Sequence, residues 1–240
     1  MARANASPST TTPPPHLAKA IFNPDAGLDA PERRSAISPY ALHSLHAIGI
    51  NATPEDVFFW VYARLHDSEW RTRYADDLRK SLPRIALPAS PEAFAADAAL
   101  GRRLADIHLA HSLTPEMEDA LAAAGVTVEG RSCPSGHDPF DHFHLPDKMR
   151  FPARDDKSQI ILSGRVAIRN IPPQAYLYTV NGKSPAEWVI ERLAVRQDKK
   201  TSIINDPNLW AREHNQPDYI LTTLLRAIAT SLLTLKLLKK

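Results

Sequence analysis

Apolar residues recur at three- and four-residue steps through the first half of the chain, which is the periodicity of amphipathic helices. The pattern predicts helices over about 53–66, 68–82, 90–111 and 114–125. Three of these helices begin with a hydroxyl residue followed by proline. The hydroxyl caps free backbone N–H groups, and proline suits the first helical position. The first two are adjacent in sequence, and we expect them to form a helical hairpin.

From Asp147 onward the pattern changes to short runs of β-branched and aromatic residues, which predict a small, mostly antiparallel sheet. The predicted strands are Met149–Phe151, Gln159–Leu162, Val166–Ile168 and Tyr176–Val180. Helices follow, one from the capping-box residues Ser184 and Glu187, a short one from Pro207 and a long one from Tyr219. The predicted fold class is therefore α+β, with a helical N-terminal half, a small sheet and C-terminal helices.

The same pattern divides the chain into a leader and one domain. Residues 1–36 are expected to be a disordered or loosely ordered leader, because the first fifteen are rich in Ser, Thr and Pro and lack an apolar stretch. Residues 37–240 form the domain, with a helical part over about 37–125, a variable loop over about 126–146, and the sheet and remaining helices over about 147–240. The single cysteine, Cys133, excludes an intramolecular disulfide, and the leader does not resemble a secretory signal, so we expect a cytoplasmic protein.

The predicted helix from Tyr219 to Leu238 is long enough and apolar enough to cross a bilayer. Arg226 and Lys236 lie within it, however, and its leucine and isoleucine residues recur at three- and four-residue steps. This pattern favours a helix that packs on the core of a domain, and we expect no membrane partner.

Charge is unevenly distributed along a chain whose formal net charge is +2. Residues 1–144 carry 13 Lys and Arg against 18 Asp and Glu, or −5, whereas residues 145–240 carry 16 against 9, or +7. A basic half suggests a surface for a polyanion, and an acidic half suggests a solvated or protein-facing surface. Without other evidence, this uneven distribution is explained equally well by charged side chains that only contact solvent.

Several short segments, collinear from Glu55 to Trp210, carry a resemblance to a known family. They are EDVFFWVY at 55–62, RYADDL at 73–78, LPRI at 82–85, GRRLADIHL at 101–109, KMRF at 148–151, YTVNGKS at 178–184, EWV at 187–189 and INDPN at 204–208. Each segment alone is a weak signal, but in this order they resemble the C-terminal specificity domain of Type ISP restriction-modification enzymes.

The resemblance implies a DNA-binding target-recognition domain whose partners are double-stranded DNA and the methyltransferase and helicase domains of the same bacterial phage-defence system. The adenine methyltransferase, translocase and nuclease chemistry then lies outside this chain, and S-adenosylmethionine, ATP and Mg²⁺ are implied only for the parent enzyme. The sequence has no GxxxxGK[ST] loop and no Gly-rich dinucleotide signature. The segments 170–173 and 205–208 only approximate the Asn/Asp-Pro-Pro-aromatic motif of amino-methyltransferases, so we interpret both as turns and assign no catalytic residue or cofactor.

Two sets of residues are predicted to contact DNA. The first consists of basic residues that flank or lie in the predicted sheet, where they would neutralise phosphates: Lys148, Arg150, Arg154, Lys157, Arg165 and Arg169. The second lies in the loop before the helix at Pro207 and consists of Lys199, Lys200, Thr201, Ser202 and Asn205. Asn pairs bidentately with adenine in the major groove, but capping of the following helix is an equally good interpretation of Asn205.

Other interpretations are kept beside this one. The segment from His137 to His144 is dense in imidazoles and carboxylates, which is the basis for an alternative as a small metal-dependent hydrolase, but its irregular spacing favours a polar loop without metal. A protein-interaction module that uses the acidic half, or an inactive gene remnant, is also open. The four tryptophans Trp60, Trp70, Trp188 and Trp210 lie on apolar helix faces and are expected in the core.

Overall fold

A computed structural model describes residues 35–238, so nearly all of the predicted leader lies outside the described residues. The first half contains α1 (Pro39–His46), α2 (Pro54–His66), α3 (Ser68–Arg73), α4 (Ala75–Leu78), α5 (Pro91–His108) and α6 (Pro115–Ala123). Three predicted helix starts are confirmed, because the hydroxyl oxygens of Thr53, Ser90 and Thr114 accept hydrogen bonds from backbone N–H groups three residues later. At Thr53 the Asp56 carboxylate accepts from the Thr53 N–H in return, which completes a capping box.

The continuous helix predicted over 68–82 is wrong. Tyr74 interrupts it with φ −106° and ψ 20°, and α4 begins after it without a side-chain cap. The predicted hairpin is wrong as well, because the main packing partner of α2 is α5.

Helices α2 and α5 approach each other so closely that one contact position requires glycine. A Cβ atom on Gly101 would lie 1.8 Å from the carbonyl oxygen of Phe59. The close contact completes a small core in the helical half, formed by the buried side chains of Leu45, Ile50, Val57, Trp60, Phe94 and Ala98. The helical half therefore has a core of its own.

The sheet is smaller than the sequence predicts, although it is antiparallel as expected. Its strands are β1 (Thr127–Glu129), β2 (Ile160–Ile161) and β3 (Ala167–Arg169), in the order β1-β3-β2. β1 lies in the segment predicted as a variable loop, and the predicted strand around Arg150 forms only an isolated bridge to Ile161. The segment 176–180 is not a strand; Tyr176 ends a 3-10 helix at Pro173–Tyr176, and Val180 forms only an isolated bridge to Lys183.

The remaining elements are α7 (Pro139–His142), α8 (Pro185–Arg192), β4 (Arg196–Gln197), β5 (Ile204–Asn205), α9 (Pro207–Glu213) and α10 (Tyr219–Leu238). The predicted capping box of Ser184 and Glu187 is confirmed at the start of α8. The strands β4 and β5 pair antiparallel as a separate hairpin that the sequence did not predict. The α+β fold class is confirmed.

A second and larger core lies around the helix α10. Within residues 35–238, α10 is the one helix long and apolar enough to cross a membrane. Its apolar face, which includes Leu224, Leu225 and Ile228, is buried against α6, α8 and the 3-10 helix. The amphipathic pattern thus corresponds to packing on the domain core, as predicted.

A half-buried network of aromatic and hydroxyl side chains connects the two halves. His108 of α5 has its Nδ1 atom 2.6 Å from the hydroxyl of Tyr62 and its Nε2 atom 2.8 Å from the hydroxyl of Thr234 in α10. His66 donates from Nδ1 to the Tyr62 carbonyl over 2.7 Å, so its neutral Nε2 accepts from the Tyr178 hydroxyl over 3.2 Å. Burial, with a smaller contribution from the neighbouring His66, lowers the pKa of His108 to about 4. The folded protein therefore holds His108 neutral near pH 7.

Candidate nucleic-acid interface

Two segments of the basic half that are distant in sequence are joined by hydrogen bonds. The Val195 N–H donates to the Asp147 carbonyl over 2.7 Å. The buried Asn208 side chain accepts from the Leu145 N–H and donates to the Leu145 carbonyl, each over 2.9 Å. The segment 145–150 is therefore held beside the base of the β4–β5 hairpin and the start of α9.

Lys148 and Arg150 are exposed on either side of Met149, which is only 1% exposed. The backbone of Arg150 is bonded to Ile161 in both directions, over 3.0 and 2.9 Å, and this fixes the segment against β2. Within residues 35–238, Lys148, Arg150 and the exposed Arg154 make no side-chain hydrogen bond or ion pair. Their charges are available to a ligand.

The tip of the β4–β5 hairpin is organised around the carboxylate of Asp198. One of its oxygens accepts from the Lys200 N–H over 2.9 Å, from the Thr201 N–H over 2.8 Å and from the Thr201 hydroxyl over 3.0 Å. The N–H of Thr201, that of Lys200 and the Thr201 hydroxyl together hold the pKa of Asp198 below its usual value. The Ser202 N–H donates to the Asp198 carbonyl over 2.9 Å. The turn is thus internally bonded, and the side chains of Lys199 and Lys200 are exposed on it.

Three of the residues predicted to contact phosphates instead bond to other residues of the protein. Lys157 pairs with Glu187 over 2.7 Å and lies over the rings of Phe151 and Tyr176. Arg169 donates to Glu129 and to Gln159, and Arg165 donates to the Asp141 carbonyl over 3.3 Å. These three residues do not form the single free stripe that strand alternation suggested.

Asn205 is exposed, and its side-chain N–H donates to the Ala194 carbonyl over 3.3 Å. The interpretation of Asn205 as the cap of α9 is wrong, because the Asp206 carboxylate accepts from the Asn208 N–H over 2.9 Å and caps that helix instead. Base reading by Asn205 stays a prediction.

The His/Asp-rich loop is occupied by structural contacts. Asp138 caps α7, and His142, which is 5% exposed, bonds through Nε2 to the Gly130 carbonyl over 2.7 Å. Asp141 pairs with Arg212 over 3.3 Å. Across residues 35–238, no three His, Cys, Asp or Glu side chains are grouped so as to hold a metal ion. The alternative as a metal-dependent hydrolase therefore has no assembled ligand set in this part of the chain.

The tryptophans differ in their environments. Trp60 is buried as predicted, and Trp70 and Trp188 are only partly buried. The indole N–H of Trp188 donates to the Val180 carbonyl over 2.7 Å. Trp210 is 37% exposed, so its placement in the core is wrong.

A cleft of about 960 Å³ lies in the helical half, between α2, α3 and the segment before α5. Sequence reasoning assigned it no role. Three acidic and three arginine side chains line it: Asp67, Glu69, Asp97, Arg64, Arg73 and Arg84. Because these formal charges balance, the cleft does not share the positive character of the hairpin surface.

The features sequence reasoning missed are the hairpin itself and the exposed residues of β4, Arg196 and Gln197. Their signal in the sequence is weak, since two-residue strands produce no detectable alternation. With them, the basic segment 145–150 and the polar hairpin define an α+β domain with an exposed, positively charged loop surface.

Comparison with known proteins identifies the family to which such a domain belongs. Residues 7–223 match the family model of the Type ISP C-terminal specificity domain, and the chain belongs to that family. The resemblance found in the sequence is confirmed, and the match begins upstream of Ile37, where the domain was expected to start.

Solved structures with this fold include DNA complexes of much larger proteins. One is a nuclease-deletion mutant of the Type ISP restriction-modification enzyme LlaGI with a DNA substrate mimic, at 36% identity and TM-score 0.65 over 79% of this chain. Another is the ATP-dependent Type ISP enzyme LlaBIII bound to DNA, at 32% identity and TM-score 0.71 over 89% of this chain. A DrdV–DNA complex, at 24% identity and TM-score 0.62 over 86% of this chain, shares the fold.

This chain corresponds to only a small part of those proteins. It covers 14% of the LlaGI chain, 13% of the LlaBIII chain and 20% of the DrdV chain. No curated protein matches it. Family membership and the two related DNA complexes support a role in DNA target recognition, in a type of domain that is itself non-catalytic.

Proposed function

We propose that this chain is the part of a bacterial Type ISP restriction-modification system that recognises the DNA target for an adenine methyltransferase, translocase and nuclease located in other domains. The chain docks on double-stranded DNA through the segment 145–150 and the β4–β5 hairpin. It acts in the cytoplasm and in defence against phage, and the S-adenosylmethionine, ATP and Mg²⁺ of the parent enzyme bind outside it.

One observation carries the proposal more than any other. The hydrogen bond from the Val195 N–H to the Asp147 carbonyl brings together two exposed basic segments that are about fifty residues apart in sequence. Lys148 and Arg150 lie on one side of this bond, and Lys199 and Lys200 follow it on the hairpin. An extended strand rises about 3.3 Å per residue, so Lys199, four residues after Val195, lies at most about 13 Å from it. Basic groups at this spacing suit the phosphates of one DNA duplex.

Salt-dependent DNA binding tests the proposal. The full chain binds a fluorescein-labelled duplex, and log Kd is measured against log salt concentration. Replacing Lys148 and Arg150 together with alanine, or Lys199 and Lys200 together, should weaken binding to all sequences alike. The slope should flatten by about one unit per lost phosphate contact.

A charge-matched control comes from the helical half. The double variant Arg79→Ala with Lys80→Ala removes the same formal charge from exposed positions far from the hairpin in sequence. The proposal expects this variant to keep the parent slope. It fails if both basic-segment variants bind as tightly as the parent, or if all three double variants lose affinity equally.

A further inference from the structure

The β4–β5 hairpin is exposed along both strands. Arg196, Gln197, Ile204 and Asn205 are all exposed, and Ile203 in the turn is 67% exposed. A two-stranded ribbon of this kind is one of the two elements that the major groove of B-DNA admits. Since the Val195 N–H holds the base of the hairpin beside the basic segment 145–150, docking on phosphates there would direct the ribbon toward the duplex.

Two residues of the types that read base edges face each other across this ribbon. Arg196 and Asn205 are directly paired in the antiparallel register. Side chains at paired positions lie on the same face, with Cβ atoms about 4.5–5.5 Å apart. Arg pairs bidentately with the O6 and N7 atoms of guanine, and Asn pairs bidentately with adenine. After its one bond to the Ala194 carbonyl, Asn205 retains its side-chain oxygen and a second N–H for such a contact.

The guanidinium of Arg196 is available, unlike those of most arginines in the basic half. Arg165, Arg169, Arg192 and Arg212 each contact a carbonyl, a carboxylate or an aromatic ring. Within residues 35–238, the Arg196 side chain makes no hydrogen bond or ion pair, although its charge is near enough to help lower the pKa of Glu191. The nearby Glu191 already pairs with Lys183.

The hairpin holds these side chains in a defined position. At its base, Ala194 is 1% exposed and the Val195 N–H is bonded to Asp147. At its tip, Asp198 organises the turn through three hydrogen bonds. Pre-organisation of this kind favours a bidentate contact. In a mobile loop, the free-energy cost of ordering the side chains on binding would lower the affinity for DNA.

We infer that Arg196 is a specificity-determining residue that reads a guanine in the major groove, beside Asn205 on the same face of the β4–β5 hairpin. The inference rests on the proposed function and adds a base-reading residue to it.

Selection from a randomised duplex library tests the inference. The full chain is used to enrich duplexes, which are then sequenced, for the parent and for Arg196→Lys and Arg196→Ala. Lysine keeps the charge but lacks the planar two-pronged donor geometry. Both variants should lose guanine at one position of the enriched motif and keep the other positions. Discrimination at that position should fall about 5- to 150-fold, as expected for one bidentate contact.

Two controls separate base reading from other roles of Arg196. Arg192→Lys, in which a cation over the Trp188 ring is conserved, should leave the motif unchanged. A thermal melt of Arg196→Lys should match that of the parent, because this side chain has no hydrogen-bond or ion-pair partner among the described residues that a structural role would need.

The outcomes distinguish failure of the inference from failure of the proposed function. An unchanged motif in Arg196→Lys and Arg196→Ala overturns the inference and leaves target recognition intact. Uniform weakening on every sequence would identify Arg196 as a phosphate contact and also overturns it. A parent chain that binds no duplex, or enriches no motif, contradicts the proposed function itself and the inference with it.

Discussion

His108 is a half-buried histidine at the contact between the two halves of the chain. It lies between the hydroxyls of Tyr62 and Thr234, and its charged form would lose solvation there without gaining an acidic partner. Tyr178 and His66 complete the surroundings, and the charge of Arg71 acts on His66. The network joins α2, α5 and α10, so a proton on His108 would act on the contact between the two halves.

The pKa of His108 predicts a loss of stability in mild acid. The unfolded chain takes up this proton near pH 6.5, whereas the folded protein does so only near pH 4. The unfolded state therefore binds more protons between these values, and the stabilisation present above pH 6.5 is lost as the pH falls to 4. Urea unfolding at a series of pH values should show this decline.

Two variants at the same site make that prediction specific. His108→Gln should give a shallower decline between pH 6.5 and 4.5, since the titrating group is gone. Thr234→Val removes a hydrogen bond but no titrating group, so it should lower stability while keeping the parent's pH dependence. A decline of equal steepness in the parent and His108→Gln would show that another group is responsible.

The sequence shows which residues are basic, but it does not show which of them pair with another side chain in the folded protein. Lys148 and Lys157 both belong to the predicted basic stripe, yet the first is exposed without a partner in residues 35–238 and the second pairs with Glu187. The difference arises because Glu187 is brought to Lys157 by tertiary packing of α8, thirty residues away along the chain. Similarly, Asp206 rather than Asn205 caps α9, a choice between adjacent residues that depends on backbone geometry.

At the scale of secondary structure, the contact between α2 and α5 depends on Gly101. In a helix interior, alanine stabilises the helix by up to about 1 kcal/mol relative to glycine. Here, however, its Cβ would lie 1.8 Å from the Phe59 carbonyl oxygen, and the helices would have to separate. We expect Gly101→Ala to lower the free energy of unfolding by about 1–3 kcal/mol, as overpacked cores do.

The same substitution at Gly164 provides the control. Gly164 lies in the turn between β2 and β3, where a Cβ atom would have no neighbouring atom within 4 Å and the backbone is outside the left-handed region. Gly164→Ala should therefore leave stability within about 0.5 kcal/mol of the parent. Chemical denaturation of both variants checks this, and equal effects at the two positions would refute the close-contact explanation.

The hydrogen bonds of the hairpin turn lead us to expect an effect of Asp198→Ala on DNA affinity that is opposite to the effect of its charge. Removing the negative charge of Asp198 should strengthen DNA binding if only electrostatics matter. Asp198→Ala also removes the acceptor that bonds Lys200 and Thr201, so we expect about two- to tenfold weaker binding from the cost of ordering a loose turn.

Asp198→Asn separates the two effects, because the amide oxygen still accepts hydrogen bonds although the charge is absent. It should bind the fluorescein-labelled duplex at least as tightly as the parent, and the Kd of both Asp198 variants is measured at the same salt concentration. If Asp198→Ala binds as tightly as Asp198→Asn, pre-organisation of the turn contributes nothing.

Helix starts were predicted better than strands, for a physical reason: β2 and β3 overlap predicted strands, but β1, β4 and β5 were not predicted. The starts at Thr53, Ser90, Thr114 and Ser184 are local signals, since each capping hydroxyl and the backbone N–H group that donates to it lie within four residues. The strands β1 to β5 have only two or three residues, and their formation depends on partners far along the chain, such as Val128 opposite Ile168. Pairing of this kind leaves no periodic pattern in the sequence.

In the whole molecule, the division of charge matches the division of structure only in part. The core around Trp60 is built only from the acidic half. The larger core combines Ile107, Met117 and Leu121 of the acidic half with β2, β3 and α10 of the basic half, and β1 of the acidic half completes the sheet. The family resemblance was detectable in the sequence because its segments are spread along both halves. The juxtaposition of residues 145–150 with the hairpin was not, since it results from backbone hydrogen bonds between distant segments.

Competition binding measures most directly whether this chain recognises a DNA sequence. The labelled duplex that the parent chain enriches from a random library is displaced by unlabelled copies of itself or by a scrambled duplex of equal length and composition, at one salt concentration. Since a single bidentate base contact contributes about 1–3 kcal/mol of discrimination, the enriched duplex should compete at least about fivefold better. Equal competition by the two duplexes would contradict target recognition, because the chain would then bind only the phosphate backbone.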